Sequence, residues 1–357
     1  MAVQQVKLKI LILRDYIHPY SSKKVHDMKK TGNKAPTITD IARLAGVSSI
    51  TVSRTFTDPD KVKAKTRERI LQIAGEVEYV PNVFAQNIKT AQSPIIGIVT
   101  DDTFNQSYSY VIQELCQHAE AKGYSVMIFA TGGNRESEVK AINTLVSYKA
   151  AGVVLSVIND TPDYDTSHLK TLYHSSTKLI QFDRQFDTTL PAVYVNDERA
   201  GELIASVIKQ KQYQHVLVIG GQEQSRITQA RVNSICDNLP STTQVTHLYA
   251  DYRYDNAKAM ITAHFAAGDR RYDAIIGVNG AISLAARSVA TKWSLAGVDF
   301  LSIDDIPNAE DFGFFYPSVV HDYKQWATIV AENLVAAIEG RPWQPRTVIN
   351  GFLKNTR

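Results

Sequence analysis

Cysteine is scarce in this sequence, and long apolar runs are missing. Two cysteines, Cys116 and Cys236, occur among 357 residues, which is too few for a disulfide framework. No apolar run approaches the roughly 20 residues that a membrane-spanning helix needs. The opening stretch KLKILILRDY has only a short apolar run and no small-residue cleavage site after it, so it does not match a secretory signal. These absences predict a soluble cytoplasmic protein with no membrane partner.

Motifs of enzymes are missing as well. The nine histidines show no metal-ligand spacing, and no nucleophile, base and orienting group form a recognisable set. Gly220 and Gly221 lack the spacing of a phosphate-binding loop and fit a strand-to-helix turn better. We therefore expect no catalytic residues, no metal site and no cofactor.

What the sequence does contain is an uneven distribution of charge. Residues 1–92 carry 16 Lys/Arg and 8 Asp/Glu, whereas residues 93–357 carry 23 and 28. A basic head on an acidic body indicates that the head meets a polyanion. A solvated basic leader is the alternative, since five lysines between residues 23 and 34 supply much of the excess.

The sequence predicts four regions. Residues 1–36 show no sustained period and indicate a flexible leader, residues 37–80 a helical domain, residues 81–93 a hinge, and residues 94–357 the body.

Three short helices are predicted in the helical domain. The stretch TITDIARLAGV has apolar residues at helical spacing, with Thr39 as the N-cap and Gly46 in the left-handed turn that ends the helix. Ser48 caps a second helix that runs to about Phe56, and a third helix follows from a Thr66 cap. Two helices joined by a tight turn and followed by a third form a helix-turn-helix unit.

In such a unit the start of the second helix enters the major groove of DNA. Ser48 and Thr51 are then expected to contact phosphates or cap the helix, while Ser49, Ile50 and Arg54 face base edges. Arginine is the natural reader of guanine. An ordinary three-helix domain, with hydroxyls that only cap helices, is the alternative.

Three stretches of the head, ITDIARLAGVSSITVSRTF, VKAKTRERI and YVPNVFAQNIKT, resemble the DNA-binding headpiece and hinge of the lac-repressor (LacI/GalR) family. The resemblance continues from about residue 37 to the C-terminus. It implies a dimeric repressor with a sugar- or nucleotide-sensing core.

The hinge segment PNVFAQNIKTAQS begins at Pro81. It is too short to hold a helix alone in water, so folding needs the same segment of a second subunit and the minor groove. By resemblance, Ile88 stands where the family places a leucine wedge between base steps, and Gln86 stands where an arginine is common. A plain linker is the alternative. The predicted DNA-binding residues are Thr39, Ser48, Ser49, Ile50, Thr51, Ser53, Arg54, Lys65, Thr66, Asn82, Ala85 and Ile88.

After Pro94, apolar strands alternate with amphipathic helices. Strands are predicted at IIGIVT, SVMIFAT, GVVLSVI, KLIQFD, HVLVIGG, VTHLYA, DAIIGVNG and DFLSIDD. This alternation is typical of parallel βαβ units. The predicted fold class is a small all-α helix-turn-helix headpiece plus an α/β periplasmic-binding-protein-like core of two doubly wound parallel-sheet lobes.

Ligands bind such sheets at the carboxyl ends of the strands. Within the family, NQSYS, FDRQFD and GGQEQSRITQAR resemble segments of fructose- and sucrose-type repressors. By this resemblance Arg231 is expected to meet a sugar phosphate, if the effector carries one, and SVVHDYKQWATIVAENL resembles a returning strand and helix that brings Tyr323 to the cleft. The predicted effector-binding residues are Asn105, Ser107, Tyr108, Asp183, Arg184, Arg199, Arg231, Asn279, Asp304 and Tyr323.

Structural roles stay open for several of these residues. Asp183 and Arg184 could form an ion pair, and Tyr108 could be a core residue. Asp304 could cap the following helix, and Arg199 could face solvent.

The resulting expectation is a transcriptional regulator of carbohydrate genes. It binds a palindromic operator as a homodimer and responds to a small sugar or sugar-phosphate effector held between the lobes. The alternative is a cytoplasmic sugar-binding receptor with a nonspecific basic head.

Overall fold

A computed structural model describes residues 35–82, 92–101, 106–268, 271–306 and 308–354. They belong to two compact units, one that ends at Thr90 and one that begins at Ala91. Each unit is described by itself.

The described part of the first unit is helical. Helix α1 covers Ile38–Ala45, α2 covers Ser49–Thr57 and α3 covers Ala64–Glu76, with a short 3-10 turn at Pro59–Lys61 between the last two. Their shared core contains fully buried side chains from each helix, namely Ile41, Val52 and Ile70.

Helix ends in this unit differ from two of the predicted caps. The predicted N-cap Thr39 lies inside α1, because Thr37, two residues earlier, is the N-cap and forms a reciprocal capping box with Asp40. Thr66 lies inside α3, which begins at Ala64 with no side-chain cap.

The two predicted features that join α1 to α2 are confirmed. Gly46 ends α1 with φ of 63°, in the left-handed region that glycine adopts without steric cost. Ser48 caps α2 and accepts the Thr51 N–H at 3.2 Å.

The second unit is built on two sheets of six strands each in the described residues, with strand orders β11-β5-β4-β3-β1-β2 and β12-β10-β9-β8-β6-β7. The strands of the first sheet are β1 Ser93–Thr100, β2 Ser125–Ala130, β3 Ala150–Leu155, β4 Lys178–Phe182, β5 Ala192–Val195 and β11 Arg346–Ile349. Those of the second sheet are β6 His215–Gly220, β7 Gln244–Tyr249, β8 Ala274–Gly277, β9 Asp299–Ile303, β10 Ser318–Val320 and β12 Phe352–Lys354.

Helices cover both sheets. They are α4 Gln106–Ala121, α5 Arg135–Ser147, α6 Lys170–Tyr173, α7 Asp197–Lys211, α8 Arg226–Asp237, α9 Tyr254–Ala266, α10 Gly280–Lys292 and α11 Tyr323–Glu339. We call the first sheet with α4, α5, α6 and α11 the first lobe, and the second sheet with α7 to α10 the second lobe.

The described strand pairs are parallel except for the edge strand β12, which runs antiparallel to β10. Central strands such as β3 and β8 are buried along their whole length. Continuous Val/Ile/Leu-rich strands are expected where helices cover both faces of a parallel sheet. The predicted fold class is therefore confirmed, and all eight predicted strands are present.

The chain passes between the lobes three times within the described residues: at Asn196, at residues 321–322 and at residues 350–351. Asn196 Nδ2 donates to Asn350 Oδ1 at 3.0 Å, so two of these crossing segments are bonded to each other.

The strand orders place β9 in the second sheet where β4 lies in the first. Asp183 follows β4 and Asp304 follows β9, and each has a left-handed backbone, with φ of 59° and 66°. The Asp183 N–H donates to Val193 O and the Asp304 N–H to Val319 O, which is the same bond to the next strand in each sheet. The two aspartates thus hold equivalent positions in the two lobes.

Candidate functional site

The outer face of α2 carries the predicted base-reading residues. Val52 and Thr55 are buried, so the opposite side of the helix faces solvent. On that side Ile50 is 64% exposed, Arg54 is exposed, and Ser49 and Ser53 are half-buried. An exposed isoleucine beside an arginine can contact a thymine methyl group and a guanine edge respectively.

Ser48 and Thr51 bond to each other at the start of α2. Their hydroxyl oxygens lie 2.9 Å apart, and the Ser48 hydroxyl also accepts the Thr51 N–H. The capping role considered for Ser48 is therefore present. Ser48 is nevertheless exposed and Thr51 half-buried, so an outside oxygen anion could still reach both hydroxyls.

The other predicted DNA-binding residues are spread over the first unit. Thr39 is exposed on α1, Lys65 is exposed and Thr66 half-buried on α3, and Asn82 is exposed near the end of the described segment. Ala85 and Ile88 lie outside the described residues.

The second candidate site is a cleft between the lobes. Six predicted effector residues line it: Tyr108, Asp183, Arg184, Arg231, Asn279 and Asp304. Six more lining residues were not predicted: Asp101, Val195, Ile227, Tyr252, Arg253 and Trp326.

Arg231 is buried on α8 and bonded on several sides. Its Nε donates to Asp197 Oδ1 at 2.6 Å, and its Nη1 donates to Val278 O at 2.6 Å and to Asp304 Oδ2 at 3.3 Å. Burial lowers the pKa of the guanidinium, but the carboxylates of Asp197 and Asp304 outweigh it and raise the pKa above its usual value. Arg231 therefore stays charged and in place.

Asp197 opens α7 at the first crossing segment. Burial raises the pKa of its carboxyl, Arg231 opposes that shift, and Asp183 adds to it, with a result of about 6. The charge of Asp197 therefore responds to pH near neutrality.

Asp183 and Tyr108 form the first-lobe side of the cleft. The Tyr108 hydroxyl donates to Asp183 Oδ2 at 2.5 Å and lies 3.2 Å from Ser156 Oγ. Burial raises the pKa of Asp183, and the charge of Arg231 only partly offsets this. Tyr108 is therefore buried in the hydrophobic core, as considered above, and its hydroxyl also makes a hydrogen bond at the cleft.

Asp304 is the ionised counterpart on the second lobe. Burial raises the pKa of its carboxyl, but Arg231 and the nearby His321 lower it by more, so the pKa lies below its usual value. His321 Nδ1 is 3.4 Å from Asp304 Oδ1. The helix-capping alternative for Asp304 does not occur, since the next helical turn is preceded by Asn308.

Arg184 and Arg253 bind the Asp101 carboxylate together. Arg184 Nη1 is 3.0 Å from Asp101 Oδ2, and Arg253 Nη2 is 2.9 Å from Oδ1. Arg184 also donates to Ile158 O at 3.1 Å and lies 4.8 Å from the centre of the Tyr252 ring. The ion pair considered between Asp183 and Arg184 is replaced by this pair with Asp101.

Two further contacts fix the walls of the cleft. Asn279 Oδ1 accepts the Ile282 N–H and so caps α10, while its Nδ2 donates to Tyr252 O at 3.1 Å. Trp326 Nε1 donates to Val193 O at 3.1 Å, which holds the indole ring against the first-lobe core.

Two of the remaining predicted effector residues, Arg199 and Tyr323, do not line the cleft. Arg199 lies on the solvent side of α7, where Nη1 binds Glu202 Oε2 at 2.7 Å. Tyr323 stacks on Tyr110 with 6.3 Å between ring centres. Asn105 lies outside the described residues, and for Ser107 only the helical backbone of α4 is described.

The sequence contained only a weak signal that Trp326 lines the cleft. Trp326 lies in the helix of the segment SVVHDYKQWATIVAENL, several residues after the strand of that segment ends. Tyr252 and Arg253 come soon after the predicted strand VTHLYA, so the rule that selects residues at strand ends could have found them. Asp101 follows the first predicted strand directly, so the same rule could have found it.

In the described ranges, no cluster of three or more His, Cys, Asp and Glu residues could hold a metal ion. No helix within those ranges is both long and apolar enough to cross a membrane.

The chain is similar to known regulators in sequence. The HTH-type transcriptional regulator IdnR of Escherichia coli strain K12 is 27% identical over 210 residues, which cover 58% of this chain and 61% of the relative. The sucrose operon repressor of Staphylococcus xylosus is 26% identical over 250 residues, which cover 70% of this chain and 76% of the relative. The match thus spans about three fifths of the length of IdnR.

The chain is also similar to a solved structure in its fold. A crystal structure of the lac repressor dimer bound to operator and the anti-inducer ONPF superimposes with a TM-score of 0.75 at 19% identity, covering 90% of this chain and 98% of that one.

Two family models match the chain in succession. The model of bacterial regulatory proteins of the lacI family matches residues 37–82. The model of periplasmic binding proteins and the sugar binding domain of the LacI family matches residues 93–301. Since this second match alone covers more than half of the sequence, the chain belongs to the LacI family of bacterial regulatory proteins.

Proposed function

We propose that the protein is a transcriptional repressor of carbohydrate genes that binds a palindromic operator as a homodimer. The observation that carries this proposal is the outer face of α2, where Ile50 and Arg54 are exposed on a helix fixed by the Ser48 cap. A helix with exposed readers on its outer face suits the major groove. The excess of Lys and Arg over Asp and Glu in residues 1–92 attracts the phosphates of DNA.

The cleft holds the effector of this repressor, a small carbohydrate. Carboxylates, an amide and aromatic rings line it, and this mixture recognises the hydroxyls and C–H faces of sugars. The related sucrose operon repressor supports the assignment to carbohydrate genes.

Effector and operator affinity are coupled through the lobes. A ligand that contacts both lobes favours one lobe geometry over another, and a coupling of about 1–3 kcal/mol is ordinary for such a change. The role is regulatory and not catalytic, and the protein acts in the cytoplasm, where its operator lies.

The test begins with selection of a preferred duplex from random palindromic DNA by the full-length protein. Its affinity is then measured by fluorescence anisotropy against a scrambled duplex, at rising salt and with a panel of sugars. We expect tight binding to the selected duplex, a steep loss with salt because several phosphates are contacted, and a change in affinity with at least one sugar.

Two results would argue against the proposal. Equal affinity for every duplex, together with sugar binding, would indicate a receptor with a nonspecific basic head. A preferred duplex whose affinity no carbohydrate alters would retain the DNA-binding role and remove the sugar effector.

A further inference from the structure

A buried carboxylate of the first lobe lies apart from the residues that line the cleft. Glu138 is on α5, and its side chain is 0% exposed. Its Oε2 accepts the Ile158 N–H at 2.9 Å. Its Oε1 accepts the Tyr164 hydroxyl at 2.5 Å and the His168 Nε2–H at 2.7 Å. An ionised carboxylate has only acceptor sites, so three donors that converge on it satisfy a charge that burial would otherwise make costly.

Glu138 joins the two ends of one loop. The loop, residues 156–169, follows β3 and ends in a 3-10 turn at Ser167–Leu169. Ile158 is near its start, and Tyr164 and His168 are near its end. Burial, and then the bond to Glu138, raise the pKa of Tyr164 above its ordinary value, so its hydroxyl keeps the proton that it donates. Glu138 therefore fixes the shape of the loop between these ends.

The middle of this loop reaches the second lobe. Asp160 is 3% exposed, and its Oδ2 accepts the Ile227 N–H at 3.2 Å. Ile227 lies in the first turn of α8, where a backbone N–H has no acceptor within its own helix. The Ser225 cap serves the Thr228 N–H instead. The positive end of the helix dipole also attracts a carboxylate, so the first lobe supplies part of the cap for a helix of the second lobe.

The same loop is bonded to the lining of the cleft. The Ile158 carbonyl accepts Arg184 Nη1 at 3.1 Å, while the Ile158 N–H donates to Glu138. Asp160 follows two residues later, and its partner Ile227 lines the cleft itself. A displacement of the loop at Ile158 would therefore disturb both the cleft lining and the contact between the lobes.

We propose that Glu138 is a positioning residue for the contact between the lobes: by holding both ends of the loop, it places Asp160 where it caps α8. The contact favours this arrangement of the lobes before any ligand enters. A ligand that requires the same arrangement then binds more tightly, because a larger fraction of the protein is already competent to bind it. This consequence for the effector rests on the proposed function, whereas the contact itself does not.

The test is residue-resolved hydrogen–deuterium exchange on the full-length protein. Glu138→Gln keeps the side-chain shape but places an NH2 group, which cannot accept, against at least one of the donors. We expect exchange of the Ile227 amide to accelerate by about fivefold or more, as the loss of one hydrogen bond permits. The buried Val232 and Ile235 of α8 should show no comparable acceleration. Equal acceleration at all three amides would show that Glu138 stabilises the fold as a whole, and would overturn the inference.

A double-mutant cycle identifies the route by which Glu138 acts. Asp160→Ala removes the acceptor and should accelerate exchange of the Ile227 amide to a similar degree. In that background Glu138→Gln should add nothing at Ile227, although it still lowers the thermal stability. A full additional acceleration at Ile227 would mean that Glu138 does not act through Asp160.

A second variant and a control complete the set. Tyr164→Phe removes one donor and leaves the Glu138 carboxylate in place, so it should give a smaller acceleration at Ile227. Exchange at Ile227 that changes in neither Tyr164→Phe nor Glu138→Gln would overturn the inference. Asp165→Asn is the control, because Asp165 lies in the same loop but is 63% exposed and pairs with Arg135 of its own lobe; it should exchange like the natural protein.

These measurements need neither a sugar nor DNA. Their failure would therefore leave the proposed regulator standing, and failure of the DNA and sugar tests would leave the contact between the lobes standing.

Discussion

Arg253 of the second lobe and Asp101 of the first lobe are joined across the cleft, with 2.9 Å between Nη2 and Oδ1. Asp101 holds Arg184 of its own lobe on its other oxygen. The pair therefore links the two lobes through residues that line the cleft.

Removal of this link should weaken effector binding slightly. The Arg253 side chain is 39% exposed, and solvent-exposed ion pairs contribute about 0.2–1 kcal/mol. For Arg253→Gln we therefore expect a loss of effector affinity of up to about fivefold, measured by titration calorimetry. Arg199→Gln is the control, because Arg199 pairs with Glu202 on its own helix; an equal loss in both variants would contradict a role for the link.

Arg54 and Lys65 should affect DNA binding in different ways. Arg54→Ala removes a predicted base contact, so we expect a loss of about 1–3 kcal/mol on the preferred duplex and relaxed sequence preference. Lys65 is a predicted DNA-binding residue, and a lysine contacts phosphates, so Lys65→Ala should weaken all duplexes alike and reduce the salt slope by about 1. Anisotropy titrations at several salt concentrations give both quantities, and identical behaviour of the two variants would refute these assignments.

Substitution of Ser48 separates capping from phosphate contact. Aspartate is as good an N-cap as serine, but its charge repels a phosphate. We expect Ser48→Asp to keep the thermal stability of the helical unit and to lose operator affinity. Ser48→Ala should lower that stability by about 1 kcal/mol. If Ser48→Asp binds the operator normally, Ser48 acts as a cap alone.

The pH dependence of stability should reveal Asp197. Its folded-state pKa of about 6 lies above the ordinary 3.8, so the folded protein binds this proton more tightly than the unfolded chain does. Ionised Asp197 therefore costs stability at neutral pH, and the cost disappears as the pH falls from about 6 toward about 4.

The measurement compares the free energy of unfolding of the natural protein with that of Asp197→Asn across this pH range. The variant has no proton to gain at this position, so the natural protein should become more stable relative to it as the pH falls. One unit of pKa corresponds to about 1.4 kcal/mol, which sets a ceiling of about 3 kcal/mol. A constant difference between the two proteins would show that Asp197 does not titrate in this range.

Elements with a strong local signal were predictable from the sequence. Gly46 and Ser48 mark the turn of the helix-turn-helix unit by residue type alone, and the apolar strands of the body are long and bounded. The helix caps were less certain. Thr37 and Thr39 are both threonines, and the Asp40 that completes the box with Thr37 was the available signal. At Thr66 no such partner exists, and α3 begins at Ala64 without a side-chain cap.

The lining of the cleft was half predictable. Residues that directly follow a strand, such as Asp183 and Asp304, were found because strand ends meet at one edge of a sheet. Arg199 and Tyr323 lie outside the cleft lining. A helix turns each side chain by about 100° from the last, and the sequence does not say which face meets the cleft. The partners of Arg184 and Arg231 depend on contacts far apart in sequence, which no local pattern encodes.

Three neighbouring passages of chain between the lobes restrict how the lobes can move. At the last passage a Cβ on Gly351 would lie 2.8 Å from Val319 Cγ1 and 2.9 Å from His321 Nε2, so the passages are packed tightly against one another. Lobes joined along one side in this way can rotate apart about that side, whereas sliding of one lobe past the other would stretch all three crossing segments at once. A methyl group added at Gly351 would therefore act on the crossing segments, beside His321, which lies 3.4 Å from Asp304 in the cleft lining.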